Sequence, residues 1–537
     1  MSDLPERFNL AAWLLEGNLA LRPRKTAVRS AQRDLTYAQA GDEAARVQTV
    51  LRELGHQQEQ RVLLVCPDVP EFVTCWLGIV RAGGVFAMVN PRLSTEEYAY
   101  YLEYSRAPVA VVHRDAMEAF APAARSARHL RAAILVGMKA SEGRLPVEEV
   151  AYAEAIPAAP PAGAPCDTQR DDVCGWLFTS GTSGKPKAAM HYHSDFAWNA
   201  ERYARQVVGY VESDVTMAVS KLFFGYATGT NLMFPFAAGA TTALFAEASK
   251  PEAVVENARR FQPTILAAVP TTLAGILELD AEGVKAAFAS LRRVISAGEA
   301  LPPQLLGEFS RRFGVEILDG IGSAEMFHIY LSNRPGDVRA GSLGRPVPGY
   351  SARVVGADGR EVADGEVGTL HVSGESAALG YFQDAAKSRA TFRGDTCVSG
   401  DLFRRDADGR FHYEGRADDM LKVGGIWVAP REVEECLLAH PAVRECCVVG
   451  REDERGLVTP LAWVALHDGF SGTAALTAQL CDHVKAKLAH YKAPRRIEYL
   501  VALPRNDRGK IARAELRRLA NAGSAAGGRG GARGAAT

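Results

Sequence analysis

Thr179-Ser180-Gly181-Thr182-Ser183-Gly184-Lys185-Pro186-Lys187 follows the apolar run Trp176–Phe178. The apolar run has the length and composition of a buried strand, so the polar nonapeptide is a loop leaving it. Gly181 and Gly184 let the backbone approach a ligand closely. Four hydroxyls, several backbone N–H groups and two lysines supply the donors and charge that hold a triphosphate. The stretch is not a Walker loop, because Pro186 stands after Lys185 where a Ser or Thr should open a helix. Taken alone, it also reads as a hydrophilic turn.

Outward from this loop the chain alternates strand-like and helix-like segments. Leu35–Leu54 is apolar at helical spacing and stops at Gly55. Val62–Val65 and Val109–Val112 read as buried strands, and Ser94 with Glu97 forms a capping box for a helix through Tyr104. After a Pro/Ala-rich surface connection at 157–169, further strands are expected at Thr242–Phe245, Ile265–Val269 and Arg293–Ile295. Such a rhythm predicts largely parallel sheets covered by helices. From Val354 to Tyr413 the pattern turns β-rich, with Asp-Gly turns at 358–359, 364–365 and 408–409. A smaller α+β unit follows. Pro430 opens a helix to about His440, strands are expected at Val443–Val449 and Leu461–Leu466, and a second helix at Leu476–Leu488.

Four more segments carry candidate chemistry. Ser296-Ala297-Gly298-Glu299 follows the strand Arg293–Ile295 and is small enough to lie flat on a purine ring. In Asp319-Gly320-Ile321-Gly322-Ser323-Ala324-Glu325, two glycines are expected to open a tight loop, and Glu325 is a hard oxygen donor suited to Mg²⁺. Asp401, in Ser399-Gly400-Asp401-Leu402, can accept both hydroxyls of a ribose, and Gly415-Arg416-Ala417-Asp418-Asp419 follows it. Near the end, Lys510 lies in Pro504-Arg505-Asn506-Asp507-Arg508-Gly509-Lys510-Ile511. Each segment alone reads equally as a turn or a solvated surface.

Together and in this order, over about residues 30–515, these motifs resemble the acyl-adenylate-forming superfamily of acyl-CoA ligases, adenylation domains and luciferases. The resemblance implies a fold with a large N-terminal adenylate-forming α/β domain (1–417), a mobile α+β lid (418–520) and a disordered tail (521–537). It assigns Thr179–Gly184 and Lys187 to the ATP phosphates, and Ala297, Gly298, Glu299, Asp319 and Gly320 to the adenine side. It gives Asp401 and Arg416 to the ribose, Glu325 to Mg²⁺ and Lys510 to catalysis of adenylation. Asp418 becomes the hinge, and Lys422, Gly424 and Gly425 line a pantetheine tunnel for coenzyme A. One departure concerns the metal turn: Ala324 replaces the family's Thr.

Lys221-Leu222-Phe223-Phe224-Gly225-Tyr226-Ala227 resembles the acyl-pocket segment of the benzoate–CoA ligase branch. Phe224, Gly225 and Tyr226 then wall a flat slot, with Gly322, His328 and Ile329 at further pocket positions. Gly225 often has an alanine counterpart in that branch, which leaves room for a ring substituent such as the ortho-amino group of anthranilate. The implied activity is an ATP-dependent acid–thiol ligase acting on benzoate or a substituted benzoate. Loading onto a carrier-protein pantetheine, or an inactive acyl- or nucleotide-binding protein, are the competing readings.

Composition bounds the rest. Among 537 residues the formal net charge is −1, so no global basic field calls for nucleic acid or anionic membrane. The nine cysteines are scattered, with no C-x-x-C pair, and read as free thiols. The start, Met-Ser-Asp-Leu-Pro-Glu-Arg, lacks a signal-peptide profile, and the apolar stretch Phe72–Val80 is too short to span a bilayer. A cytoplasmic protein is expected.

Overall fold

Two reciprocal capping boxes open helices of the first half of the chain. Ser94 Oγ accepts the Glu97 N–H at 3.3 Å while Glu97 Oε2 accepts the Ser94 N–H at 2.8 Å, starting the helix Thr95–Ser105. Thr36 and Gln39 repeat the arrangement at the start of Tyr37–Glu53, so the periodic stretch from Leu35 enters its helix two residues late. Pro70 occupies the first turn of Pro70–Arg81, the helix that absorbs the apolar stretch at Phe72–Val80. All of it but Glu71 is buried, which explains why the run Phe72–Val80 carries no charge.

The computed structural model describes residues 4–143, 145–180, 185–423, 426–452, 457–505 and 510–522. The chain forms two compact units. One runs to Arg353 and takes in His371–Val398; the other takes Val354–Leu370 and the described residues from Ser399 onward.

Among the described residues, two sheets dominate the first unit. One has the order Gly380–Tyr381, Pro186–Tyr192, Val173–Ser180, Val85–Met88, Arg61–Val65, Val109–His113, Ala132–Val136, Glu148–Ala151. It is parallel from Val173–Ser180 onward and antiparallel at the other end. The second sheet runs Arg345–Pro346, Ile329–Ser332, Ile317–Gly322, Arg293–Ser296, Ile265–Ala268, Val215–Ala218, Thr241–Ala243, Thr26–Arg29, Leu35–Thr36. Its six central strands, from Ile317–Gly322 to Thr26–Arg29, are parallel, and its edges antiparallel. Parallel strands covered by helices explain the near-continuous apolar runs in the sequence. Trp76, Phe86 and Phe196 pack with ring centroids 5.0 and 5.4 Å apart, tying the buried helix to the first sheet. Each such burial stabilises by about 1.5–3 kcal/mol.

In the second unit, Asp401–Arg405 pairs antiparallel with Phe411–Arg416. The three expected Asp-Gly turns are present, with Gly359, Gly365 and Gly409 at φ +80°, +90° and +74°, a region glycine enters without strain. The C-terminal part is a three-stranded sheet, Val443–Glu452, Val458–Leu466, Arg496–Tyr499, packed with helices Pro430–Leu438, Ala474–Lys487 and Arg513–Ala522. Of the tail expected at 521–537, Asn521 and Ala522 instead close the helix Arg513–Ala522, with Asn521 bonded to the Gly450 carbonyl, and residues from 523 onward lie outside the described residues.

Candidate active site

The polar nonapeptide is only partly a loop. Thr179 and Ser180 end one strand, Pro186 and Lys187 begin the next, and the two pair antiparallel with Thr179 opposite Lys187. A hairpin, where the sequence suggested a strand and a departing loop, therefore presents the segment. Its tip, Gly181, Thr182, Ser183 and Gly184, lies outside the described residues. Lys187 is half-buried, its ammonium 3.5 Å from the centroid of the Tyr381 ring. Tyr381 is delivered by the short strand Gly380–Tyr381, which pairs with this hairpin's second strand.

A similar correction applies to Asp319–Gly322. These residues are strand, not loop: Ile317–Gly322 pairs antiparallel with Ile329–Ser332, and the turn begins at Ser323. The glycines serve close approach. A Cβ on Gly320 would come within 2.7 Å of the Leu331 carbonyl, and one on Gly322 would collide with the His328 backbone. Asp319 is buried at the C-terminal end of its parallel strand, beside the strand that ends at Ser296. After Ser296, Ala297 is buried and Gly298 takes φ +92°. Glu299 Oε2 accepts the Thr271 hydroxyl at 2.6 Å. The residues expected at the adenine thus share one sheet edge, the carboxyl ends of adjacent parallel-paired strand segments, where open α/β sheets bind ligands.

Glu325 is held through its side chain and its backbone. Its Oε1 accepts the Tyr381 hydroxyl at 2.7 Å, and its backbone carbonyl accepts the Ala378 N–H at 2.9 Å. Burial first, and the Glu325 charge second, push the Tyr381 phenol far up, so it stays protonated and donates. One residue earlier, the Ala324 carbonyl accepts His191 Nε2–H at 2.7 Å, and His191 Nδ1 lies 2.8 Å from the Asp195 carboxylate. Both partners of this fully buried ring are acceptors.

The acyl segment converges on the same region. Tyr226 sends its hydroxyl to the Ile295 and Ala268 carbonyls at 3.1 and 3.2 Å, across two strand ends, and stacks on His328 at 5.6 Å and 23°. His328 Nε2 donates to the Tyr226 carbonyl at 3.0 Å, which fixes the tautomer and leaves Nδ1 an acceptor. Nδ1 is buried with no hydrogen-bond partner among the described residues. Burial lowers the His328 pKa to about 4, so the ring is neutral. Phe327, before it, sits at φ +66°, an unfavourable conformation for a bulky side chain of the kind that gathers at functional turns. Ile329 is buried, Phe224 half-buried against Phe223, and Gly225 faces Leu177, whose methyls lie 3.4 Å from where a Cβ would stand.

In the second unit, Asp401 and Arg416 face each other in the ladder, with Oδ1 and Nη1 3.4 Å apart. Leu421–Val423 and Ile426–Val428 form an antiparallel hairpin. Its tip residues Gly424 and Gly425 lie outside the described residues, as do the side chains of Ser180, Asp418 and Lys422. Lys510 is exposed, in a segment closed by a bridge between Arg505 and Ile511.

Comparison with known proteins follows this geometry. Residues 15–382 match the AMP-binding enzyme family, and residues 432–510 match the AMP-binding enzyme C-terminal domain. The chain belongs to the AMP-binding enzyme family. Among its relatives, a benzoate–CoA ligase of Thauera aromatica is 43% identical over 96% of both chains. A 4-hydroxybenzoate–CoA/benzoate–CoA ligase of Rhodopseudomonas palustris is 39% identical over 95% of this chain and 94% of its own. Among solved structures, the anthranilate–CoA ligase AuaEII in complex with anthranoyl-AMP superposes with a TM-score of 0.91. It is 39% identical, with 98% of this chain and 100% of that chain covered.

For an AMP-binding enzyme the donor set fits Mg²⁺. No group of three or more His, Cys, Asp or Glu among the described residues can hold a metal alone. Mg²⁺ commonly takes one or two carboxylates plus phosphate oxygens, and Glu325 supplies one such carboxylate. Sequence reasoning missed Tyr381, His191, Asp195 and Leu177. Tyr381 and His191 reach Glu325 and Ala324 from 56 and 133 residues away, Leu177 meets Gly225 only through tertiary packing, and Asp195 enters only through its bond to His191.

Proposed function

We propose that the protein is an ATP-dependent aryl acid–CoA ligase, which joins a benzoate-type acid to AMP and then passes the acyl group to coenzyme A. The observation that carries this reading is full-length similarity to benzoate–CoA ligases together with an aromatic acyl segment, in which Tyr226 stacks on a neutral His328. In the first half-reaction the carboxylate oxygen attacks the α-phosphorus of ATP, the bond to pyrophosphate breaks, and a mixed anhydride forms. Several anions must approach one another, so cations and backbone donors dominate the catalysis. The Thr179–Gly184 segment and Lys187 hold the phosphates. Ala297, Gly298, Glu299, Asp319 and Gly320 line the adenine, and Asp401 with Arg416 takes the ribose. Lys510 bridges the carboxylate and the α-phosphate. Glu325 would hold Mg²⁺, whose charge offsets that of the phosphates when it is bound.

In the second half-reaction the thiol of coenzyme A attacks the anhydride carbonyl and AMP leaves. The lid of residues 418–520 turns about Asp418, withdraws Lys510 and brings the Lys422–Gly425 hairpin to the pantetheine. Free coenzyme A is the acceptor. The acyl slot formed by Phe224, Gly225, Tyr226, Gly322, His328 and Ile329 takes the ring, and room at Gly225 extends the range to ortho-substituted acids such as anthranilate. Nine free thiols agree with a reducing cytoplasm. The test is a panel of benzoates and fatty acids scored for pyrophosphate release and thioester product. Thioester from benzoates and not from long-chain acids is expected. Fatty acyl thioester alone, or product only on carrier protein, overturns the reading.

A further inference from the structure

Asp68 lies in the connection between the strand Arg61–Val65 and the helix Pro70–Arg81, more than 150 residues before the acyl segment, and is 1% exposed. Its Oδ1 accepts the Leu222 N–H at 2.8 Å. Leu222 is itself completely buried and stands two residues before Phe224. On the opposite side of the same turn, the Thr228 hydroxyl faces the Leu222 and Phe224 carbonyls at 2.6 and 3.1 Å. Lys221 is tied off separately: its ammonium donates to the Phe245 carbonyl at 2.7 Å and rests on the Phe245 ring. Residues 221–224 are therefore held by one distant carboxylate, Asp68, by the nearby Thr228 hydroxyl and by the Lys221 anchor on Phe245, and the turn closes on itself through Phe224 N–H to the Lys221 carbonyl at 2.9 Å.

A carboxylate in this position is expensive. Burial raises the Asp68 pKa to about 6, against the opposing charge of Lys221 and the Leu222 hydrogen bond. An apolar side chain would avoid that desolvation but leave the Leu222 N–H buried and unpaired. We propose that Asp68 is a positioning residue for aryl-acid selection: it fixes the backbone of Leu222–Gly225 so that Phe224 and Tyr226 form a preset slot before the acid binds. Thr228 clamps the other side of the turn. This rests on the assignment of that segment to the acyl pocket. Asp68 never touches the acid; it acts through the Leu222 N–H.

The full-length enzyme tests this through steady-state constants for benzoate and ATP in Asp68→Ala, Asp68→Asn and Thr228→Val. Losing the acceptor in Asp68→Ala should raise the benzoate KM about tenfold or more and leave the ATP KM within about twofold. Preference for benzoate over a straight-chain acid of similar size should narrow. Asp68→Asn keeps an acceptor oxygen and should recover most of the benzoate affinity. Thr228→Val, nearly isosteric, should move the benzoate KM in the same direction, and it keeps the proposal testable if Asp68→Ala fails to fold. A folded Asp68→Ala with unchanged benzoate KM and acid preference overturns the proposal, as do equal rises in both KM values. Phe224→Ala separates this from the underlying assignment. If it leaves acid preference untouched, the pocket assignment fails; if it shifts preference while Asp68→Ala and Thr228→Val do not, only the positioning role fails.

Discussion

The Tyr381 hydroxyl donates to Oε1 of Glu325 at 2.7 Å while the Lys187 ammonium rests 3.5 Å from the centroid of the same ring. One side chain thus connects the phosphate hairpin to the carboxylate proposed for Mg²⁺. Its strand pairs with the hairpin, with Tyr381 opposite Ala189, so the connection is built into the sheet register.

Tyr381→Phe keeps the ring beneath Lys187 and removes only the donor. A hydrogen bond to a charged acceptor contributes about 1.5–3 kcal/mol. The Mg²⁺ concentration for half-maximal pyrophosphate formation should therefore rise about 10- to 100-fold. Thioester formation from supplied acyl-AMP should change little. A Mg²⁺ titration that superposes on the wild type would detach Tyr381 from the metal.

Lys510→Ala should abolish acyl-AMP formation yet spare thioester formation from supplied acyl-AMP, because the proposed mechanism places the lysine at the phosphate only in the first half-reaction. Pyrophosphate release and thioester appearance, measured separately, check this. Equal losses in the two half-reactions would remove Lys510 from its proposed role.

The architecture was legible where a local signal has a local cause. Ser94 and Glu97 cap their helix through neighbouring atoms, and Gly359, Gly365 and Gly409 turn the chain through their own φ angles. The glycines of Asp319–Gly322 misled for the opposite reason. Their freedom suggested a loop, but their missing side chains admit the adjacent strand, a tertiary fact. Likewise Lys187 follows from its motif, whereas its partner Tyr381 lies 194 residues away and joins it only through strand pairing. The segment Lys221–Ala227 was read as a wall of aromatics for the acid, and its Tyr226 ring stacks on His328. Its support by Asp68 has no sequence signature.

Acid should destabilise the fold before carboxylates of ordinary pKa titrate, although buried Asp68, raised to about 6, takes up its proton over the same range. Burial lowers His56 and His328 to about 4 and His193 to about 3, from the ordinary value of 6.5. A folded-state pKa below the unfolded one means the unfolded chain binds more protons between the two values. The contribution of each neutral histidine is thus complete above about pH 6.5 and is lost as pH falls toward 4. His56 carries no hydrogen-bond partner on either ring nitrogen among the described residues, so its titration is separable. A shift from 6.5 to about 4 corresponds to roughly 3 kcal/mol. Tm measured from pH 7 to 4.5 should fall, and His56→Leu should flatten that fall. An unchanged slope in His56→Leu would show that His56 does not stay neutral.

Gly225→Ala tests substrate size most directly. A Cβ there would stand 3.4 Å from the Leu177 methyls, an ordinary contact, and Gly225 is absent from the positive-φ glycines. Alanine should therefore fold without strain, with Tm close to that of the wild type. The methyl instead takes up room between the acyl segment and Leu177, on the strand leading to the phosphate hairpin. If that room receives a ring substituent, one inserted methyl in a packed site costs about 1–3 kcal/mol, or roughly 5- to 150-fold in discrimination. The loss should fall on ortho-substituted acids such as anthranilate, while benzoate changes little. The measurement is kcat/KM for anthranilate over benzoate in both proteins. An unchanged ratio with an unchanged Tm would show that Gly225 does not border the ortho position. A uniform loss for both acids would mean that the methyl displaces Leu177 and disturbs the hairpin behind it, and so acts on adenylation itself.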